Sequence, residues 1–145
     1  NIFYIFTYSN TDPFGKYFIT KINTYKKNNN ILIFKTLGTD LYHYIILNSH
    51  LVIGNSSSGI FEAPSLKTPT LNVGDRQEGR IMGSSVFNCK NEPKDLKKNI
   101  SHILKKKNID FKNVFYKKDT SLKILKQIKR ILREKSYNKK FYDIK

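Results

Sequence analysis

Short apolar runs alternate with helically spaced apolar residues through the first ninety positions, and that alternation constrains the fold more than any other feature. Ile2 to Thr7 reads as a buried strand, and Phe14, Tyr17, Phe18, Ile22 and Tyr25 then recur at helical spacing. Ile31-Leu32-Ile33-Phe34 is a second strand, and Leu37-Gly38 a turn. Thr39 or Asp40 is placed to cap a helix bearing Leu41, Tyr44 and Ile45. Leu51-Val52-Ile53 is a third strand, followed by a short helix over about Gly59 to Leu66. Thr70-Leu71-Asn72-Val73 is a fourth, and after a polar loop from Gly74 to Ser84 a fifth is expected over Ser85 to Asn88. Two helices close the chain. Leu96, Ile100, Ile103 and Leu104 line one face of the first; Leu122, Leu125, Ile128 and Leu132 line the second, with Asp119, Thr120 or Ser121 as its N-cap. Strands separated by helices imply a parallel, Rossmann-like α/β sheet wound by right-handed crossovers.

At 145 residues the chain is the size of one domain. It is expected to be a single α/β domain over 1–145, with 94–145 forming C-terminal helices and a basic tail that ends in Lys139 to Lys145. It opens without Met directly into apolar Ile2 to Phe6, which leads us to expect a piece of a longer protein. No run of about 18 apolar residues is present to cross a membrane as a helix, and no signal peptide is visible. The lone Cys89 excludes a disulfide framework and a Cys-based zinc site, and points to a reducing, cytoplasmic compartment.

A formal net charge of +16 raises nucleic acid as a partner. Its distribution argues otherwise. Only 8 of the 27 basic side chains precede Lys90, against 5 of the 11 acidic ones. The excess therefore sits in the last third, in lysine runs such as Lys105-Lys106-Lys107 with only Arg130 and Arg133 as arginines, whereas nucleic-acid grooves favour arginine forks and aromatic platforms. Solvated lysine faces on helices account for it, and nucleic acid is not the expected partner.

In an open α/β sheet, ligands bind beyond the carboxyl ends of the strands. Gly54-Asn55-Ser56-Ser57-Ser58-Gly59 lies there, between a strand and a helix. Small residues admit close backbone approach, free N–H groups at a helix start favour an anion, and serine hydroxyls add donors suited to phosphate. Ser-rich turns also simply cap helices, but three serines between two glycines exceed that need. Glu62 is one turn beyond Ser58, and Gly59 occupies the position a capping-box Glu would take. A carboxylate at Glu62 can accept from two vicinal hydroxyls, as on a ribose; favourable placement near the helix dipole is the alternative. The loop Gly74-Asp75-Arg76-Gln77-Glu78-Gly79-Arg80 opens on the same edge, where its arginines can neutralise a diphosphate or order the loop through Asp75 and Glu78. Lys35 follows the second strand, and Asn10, Asp12 and Lys16 follow the first. Polar groups from four strand ends converge on one rim.

The stretch GNSSSGIFEAPSLKTPTLNVGDRQEGR closely resembles the signature of hydrolysing UDP-N-acetylglucosamine 2-epimerases of the bacterial sialic acid synthesis type. YSNTD, FKTLG and the closing KKFYDIK resemble further family segments, and the similarity weakens between Asn91 and Asn113. Non-hydrolysing 2-epimerases share the fold and a related loop, but GDRQxGR is more similar to the hydrolysing branch. The resemblance implies the C-terminal, nucleotide-binding half of a two-domain, glycosyltransferase-B-like fold whose N-terminal domain is missing here. Carried over by position, Ser56 and Ser57, with Gly59, would hold the diphosphate and Glu62 the ribose. Arg76 would face the phosphates or their loop, and Asn10, Lys16 and Lys35 would line the uridine–diphosphate side. The family reaction is an anti elimination of UDP to a 2-acetamidoglucal, followed by addition of water to give N-acetylmannosamine. Its acids and its histidine lie in the N-terminal domain or just upstream, so no catalytic residue is identified in this chain and these residues alone are expected to be inactive. The resemblance implies a UDP-sugar substrate, no cofactor, no metal, no membrane and a homo-oligomer at full length.

His43, His50 and His102 match no family catalytic position and are read as surface or core histidines. TDPFGK and VFYKKDTS depart from the family wording around Lys16 and before the last helix. The rivals are a non-hydrolysing epimerase or glycosyltransferase half on the same fold, and a basic nucleic-acid-binding module built on residues 90–145.

Overall fold

A computed structural model describes residues 2–9 and 15–134. Asn10, Asp12, Phe14 and the tail Lys139 to Lys145 lie outside the described residues. The chain divides into two compact units, residues 1–113 and 114–145.

The first unit is α/β, and every strand pairing among its described residues is parallel. Its elements run β1 (Tyr4–Thr7), α1 (Gly15–Asn23), β2 (Ile31–Phe34), α2 (Gly38–Leu47), β3 (Val52–Gly54), α3 (Ser58–Phe61), β4 (Thr70–Val73), β5 (Val86–Cys89) and α4 (Pro93–Lys105). The sequence implies one sheet; the strands instead form two, β1-β2 and β3-β4-β5. Apolar runs announce strands but carry no record of which strand pairs with which. Tyr4 faces Ile31 at the head of the first ladder, and Val52, Thr70 and Val86 lie abreast in the second.

The β3-β4-β5 sheet holds the core. Leu71, Cys89 and Ile103 are buried together, with Leu51, Val73, Phe87, Leu96, Ile100 and Ile109 packed around them. Leu96, Ile100 and Ile103 recur on α4 at a spacing that turns one stripe inward. Each fully buried aliphatic side chain contributes about 1.5–3 kcal/mol. Thr68 is buried and extends the packing to α2 by donating its hydroxyl to the Ile46 carbonyl at 2.7 Å. Asn72, also buried, donates Nδ2 to Asn88 Oδ1 at 2.7 Å across the β4–β5 pair.

Three further expectations are corrected. The strand read as buried over Ile2 to Thr7 spans Tyr4–Thr7 and is largely exposed, with Ile5 at 41% and Phe3 before it at 67%. Among the described residues it has a hydrogen-bonded neighbour, β2, on one side only. The helix after Leu37 is not capped by Thr39 or Asp40: Leu37 is the N-cap without a side-chain bond, and the Gly38 N–H points to Thr36 Oγ1 at 3.4 Å instead. The helix expected to reach Leu66 stops at Phe61. Pro64 has no N–H to continue an α-helical ladder, so the chain closes in tight turns in which Ser65 N donates to Glu62 O and Leu66 N to Ala63 O.

In the second unit, α5 (Thr120–Glu134) follows Asp119, whose φ is +61° and whose carbonyl accepts from Lys123 N at 3.0 Å. Asp tolerates this left-handed conformation better than most residues. Its apolar stripe of Leu122, Leu125, Ile128 and Leu132 is exposed. No described helix is long and apolar enough to cross a membrane.

Candidate functional site

β3 and β4 lie side by side and parallel, with Gly54 opposite Asn72, so the segments that leave their carboxyl ends start next to each other. The Ser segment leaves β3 through Gly54, whose φ of +151° is disfavoured for residues bearing a Cβ. Of its serines, Ser56 is exposed, Ser57 half-buried and Ser58 buried. Ser58 is committed to the fold: its hydroxyl lies 2.5 Å from the Tyr42 hydroxyl on α2. Ser56 Oγ accepts a long bond from Ser58 N at 3.4 Å, and Ser57 precedes α3 without a side-chain capping bond. The serines most open to a ligand are therefore Ser56 and Ser57.

Gly59 serves packing. A Cβ there would stand 2.5 Å from Thr70 Cγ2, so only glycine lets α3 lie this close to β4. The contact is sealed by the Thr70 hydroxyl donating to Gly59 O at 2.8 Å. This accounts for the glycine without a ligand.

Glu62 follows α3 and is partly exposed. His43 Nε2 on α2 lies 2.6 Å from Glu62 Oε2. Tyr42 and His43, adjacent on one helix, thus hold Ser58 and Glu62, at either end of the short α3. His43 is partly exposed, within the sequence reading of a surface or core histidine, and the contact gives it a partner that the reading did not name. The two residues are 19 apart in sequence, and no local motif signals the pair.

The Arg loop is ordered by backbone turns, with Glu78 N donating to Asp75 O at 2.7 Å and Arg80 N to Gln77 O at 3.3 Å. Two of its side chains reach back, one to the end of α3 and one to the Ser segment. Arg80 places its guanidinium carbon 5.6 Å from the Phe61 ring centroid, a cation–π distance. Gln77 is buried, at 3% exposure, and donates Nε2 to the Asn55 carbonyl at 2.7 Å. Arg76, between exposed Asp75 and buried Gln77, is itself exposed. Gln77 and Tyr42 were not singled out by sequence; a glutamine in a polar loop and a tyrosine on a helix carry no distinctive signal.

The structure thus gathers Ser56, Ser57, Gly59 and Glu62 at one place and joins the loop carrying Arg76 to it. Lys16 is exposed on α1 and Lys35 exposed just after β2; among the described residues no hydrogen bond or ion pair joins either to the Ser segment. Asn10 lies outside the described residues. Cys89 is buried in the core, and burial, reinforced by the nearby Asp95 carboxylate, pushes its thiol pKa upward. It is thereby unsuited to act as a nucleophile.

Against known families, the profile of UDP-N-acetylglucosamine 2-epimerases matches residues 1–129. The chain belongs to this family. It is 32% identical over 146 residues to polysialic acid biosynthesis protein P7 of Escherichia coli, a match covering 97% of this chain and 37% of that protein. It is 38% identical over 85 residues to a GDP/UDP-N,N'-diacetylbacillosamine 2-epimerase (hydrolyzing) of Campylobacter jejuni, covering 57% of this chain and 22% of that one. Over 122 residues it is 29% identical to a UDP-N,N'-diacetylbacillosamine 2-epimerase (hydrolyzing) of Legionella pneumophila, covering 84% and 32%. The matches thus cover from 22% to 37% of the length of these curated relatives. Its parallel α/β architecture is that of a Rossmann-like half of a glycosyltransferase-B-type fold.

Proposed function

We propose that this epimerase-family domain binds the UDP part of a UDP-sugar, and that the enzyme carrying it is a hydrolysing UDP-N-acetylglucosamine 2-epimerase that releases UDP and N-acetylmannosamine for sialic acid-type sugar synthesis. One observation carries the reading. The Ser segment and the Arg loop leave the carboxyl ends of neighbouring parallel strands and are bonded to each other through Gln77 and Asn55, the place where an open α/β sheet receives its ligand. There Ser56 and Ser57 supply hydroxyl donors for the diphosphate, Arg76 supplies positive charge, and Glu62 accepts from the ribose hydroxyls through the oxygen His43 leaves open. Lys16, Lys35 and Asn10 complete the nucleotide side. The acid–base groups of the elimination come from outside these residues, in an N-terminal domain, and the whole enzyme works as a cytoplasmic homo-oligomer. The relatives named as hydrolyzing epimerases support the reaction type.

The test is product analysis with the complete enzyme on UDP-N-acetylglucosamine. The expected products are UDP and free N-acetylmannosamine. An epimerised UDP-sugar with no free UDP would assign the domain to a non-hydrolysing enzyme, and transfer of the sugar to an acceptor would assign it to a glycosyltransferase. The same assay on the 145 residues alone should release no UDP; turnover by them would overturn the view that the catalytic groups lie elsewhere. Salt-sensitive binding of RNA or DNA with no binding of UDP would favour the basic-module reading instead.

A further inference from the structure

The Arg loop is polar and exposed at Asp75, Arg76, Glu78, Gly79 and Arg80, yet Gln77 in its middle is 3% exposed. Filling space does not explain a glutamine there. Its Oε1 is buried with no hydrogen-bond partner among the described residues, and an uncompensated buried acceptor is destabilising. A methionine or leucine would fill the same volume without that cost. What the carboxamide adds is the bond from Nε2 to the Asn55 carbonyl at 2.7 Å. The position of that bond is informative. Gly54 opposite Asn72 is the last rung of the β3–β4 ladder, so Asn55 is the first residue that backbone pairing no longer holds. Gly54, at φ +151°, sets the chain direction at this point without a side chain to anchor it. Gln77 thus takes up the fixing of the Ser segment one residue beyond the end of the sheet, and does so from the residue adjoining Arg76.

We infer that Gln77 is a positioning residue for the phosphate site: it holds the Ser segment and the Arg loop at one spacing, so that Ser56, Ser57 and Arg76 meet the same diphosphate. The inference rests on the UDP reading above and adds to it a residue that touches no ligand. Losing the bond lets the two segments drift apart, which weakens contacts to phosphates and leaves those to the nucleoside intact.

The experiment compares UDP with uridine by calorimetry on the purified protein and its Gln77→Met and Gln77→Glu variants, with thermal melting alongside. Methionine keeps the volume, removes the Nε2 donor and removes the orphaned oxygen. Glutamate keeps the shape but, when ionised, has no donor for Asn55. The expected result is a loss of UDP affinity of about tenfold or more, the scale of a disturbed hydrogen bond to a charged group, with uridine affinity unchanged. In the Met variant this should come with an undiminished melting temperature. A wild-type ratio of UDP to uridine affinity in the folded Met variant overturns the positioning role, as does a fall in melting temperature with equal losses for both ligands. Wild-type protein that binds UDP no better than uridine would overturn the UDP reading itself, and the inference with it.

Discussion

His43 Nε2 stands 2.6 Å from Glu62 Oε2, linking α2 to the residue that follows α3. Both side chains are more than a third exposed, so the pair adds little to stability, roughly 0–1 kcal/mol. Its consequence is orientation. The contact engages one carboxyl oxygen of Glu62 and leaves the other for a ligand. Replacing His43 by Leu should leave the melting temperature nearly unchanged while loosening Glu62, which thermal melting and UDP titration together would report as a loss of affinity without a loss of fold.

Glu62→Gln keeps size and loses the charged acceptor. It is expected to weaken UDP and to leave 2′,3′-dideoxy-UDP nearly untouched, because the latter has no ribose hydroxyls to lose contact with. Equal weakening of the two nucleotides would return Glu62 to a merely electrostatic role beside the short helix.

Ser56→Ala and Ser57→Ala should behave in the opposite sense. Each removes a hydroxyl donor while leaving the backbone N–H groups of the segment in place. One lost hydrogen bond to a charged phosphate costs about 1.5–3 kcal/mol, and both nucleotides keep the diphosphate, so both should weaken alike while uridine binding holds. Ser58→Ala differs again: Ser58 is bonded to Tyr42, so the expected loss is in thermal stability.

What the sequence discloses here follows from what is local. β2 and β4 fall where their apolar runs place them, Ile31–Phe34 and Thr70–Val73, because a short apolar run between turn residues is a signal contained in itself. The position of the Ser segment between β3 and α3 is equally legible, since its small residues and hydroxyls are contiguous. The length of α3 misleads because Pro64 overrides an otherwise helical pattern. The division of the strands into two sheets, the exposure of β1 and the His43–Glu62 and Gln77–Asn55 contacts join residues about 20 or more apart, or depend on what covers a strand. Neither kind of fact has a local signature. Gly59 shows the converse. Its place beside three serines suggests a ligand, whereas the contact with Thr70 supplies a packing reason of its own.

That contact sets a stability prediction. In Gly59→Ala the new Cβ would meet Thr70 Cγ2 at 2.5 Å and Oγ1 at 3.3 Å, and Thr70 is only 2% exposed with little room to turn. Overpacking of this kind costs about 1–3 kcal/mol, to be read as a lower urea midpoint. Gly59→Ala with Thr70→Ser removes the offending methyl and keeps the hydroxyl, so it should recover most of the loss. Failure to recover would place the constraint in the backbone of α3 and not in Thr70.

Cys89 gives the pH prediction. Its thiol pKa is raised in the folded protein by burial and then by Asp95. Between the ordinary thiol pKa and the raised one, the unfolded chain has lost a proton that the folded chain keeps. The folded state then binds more protons than the unfolded state, so this group's contribution to stability is fully present below the ordinary thiol pKa and is lost as pH rises through the folded value. Cys89→Ser leaves no thiol to titrate, so the wild-type protein should lose stability faster than this variant as pH climbs into the alkaline range, measured as the difference in urea midpoint between the two. The same burial predicts that an alkylating reagent at neutral pH modifies Cys89 only as fast as the core opens. Modification of the native protein at the rate of an exposed thiol would show that the packing of Leu71, Cys89 and Ile103 is not closed in solution.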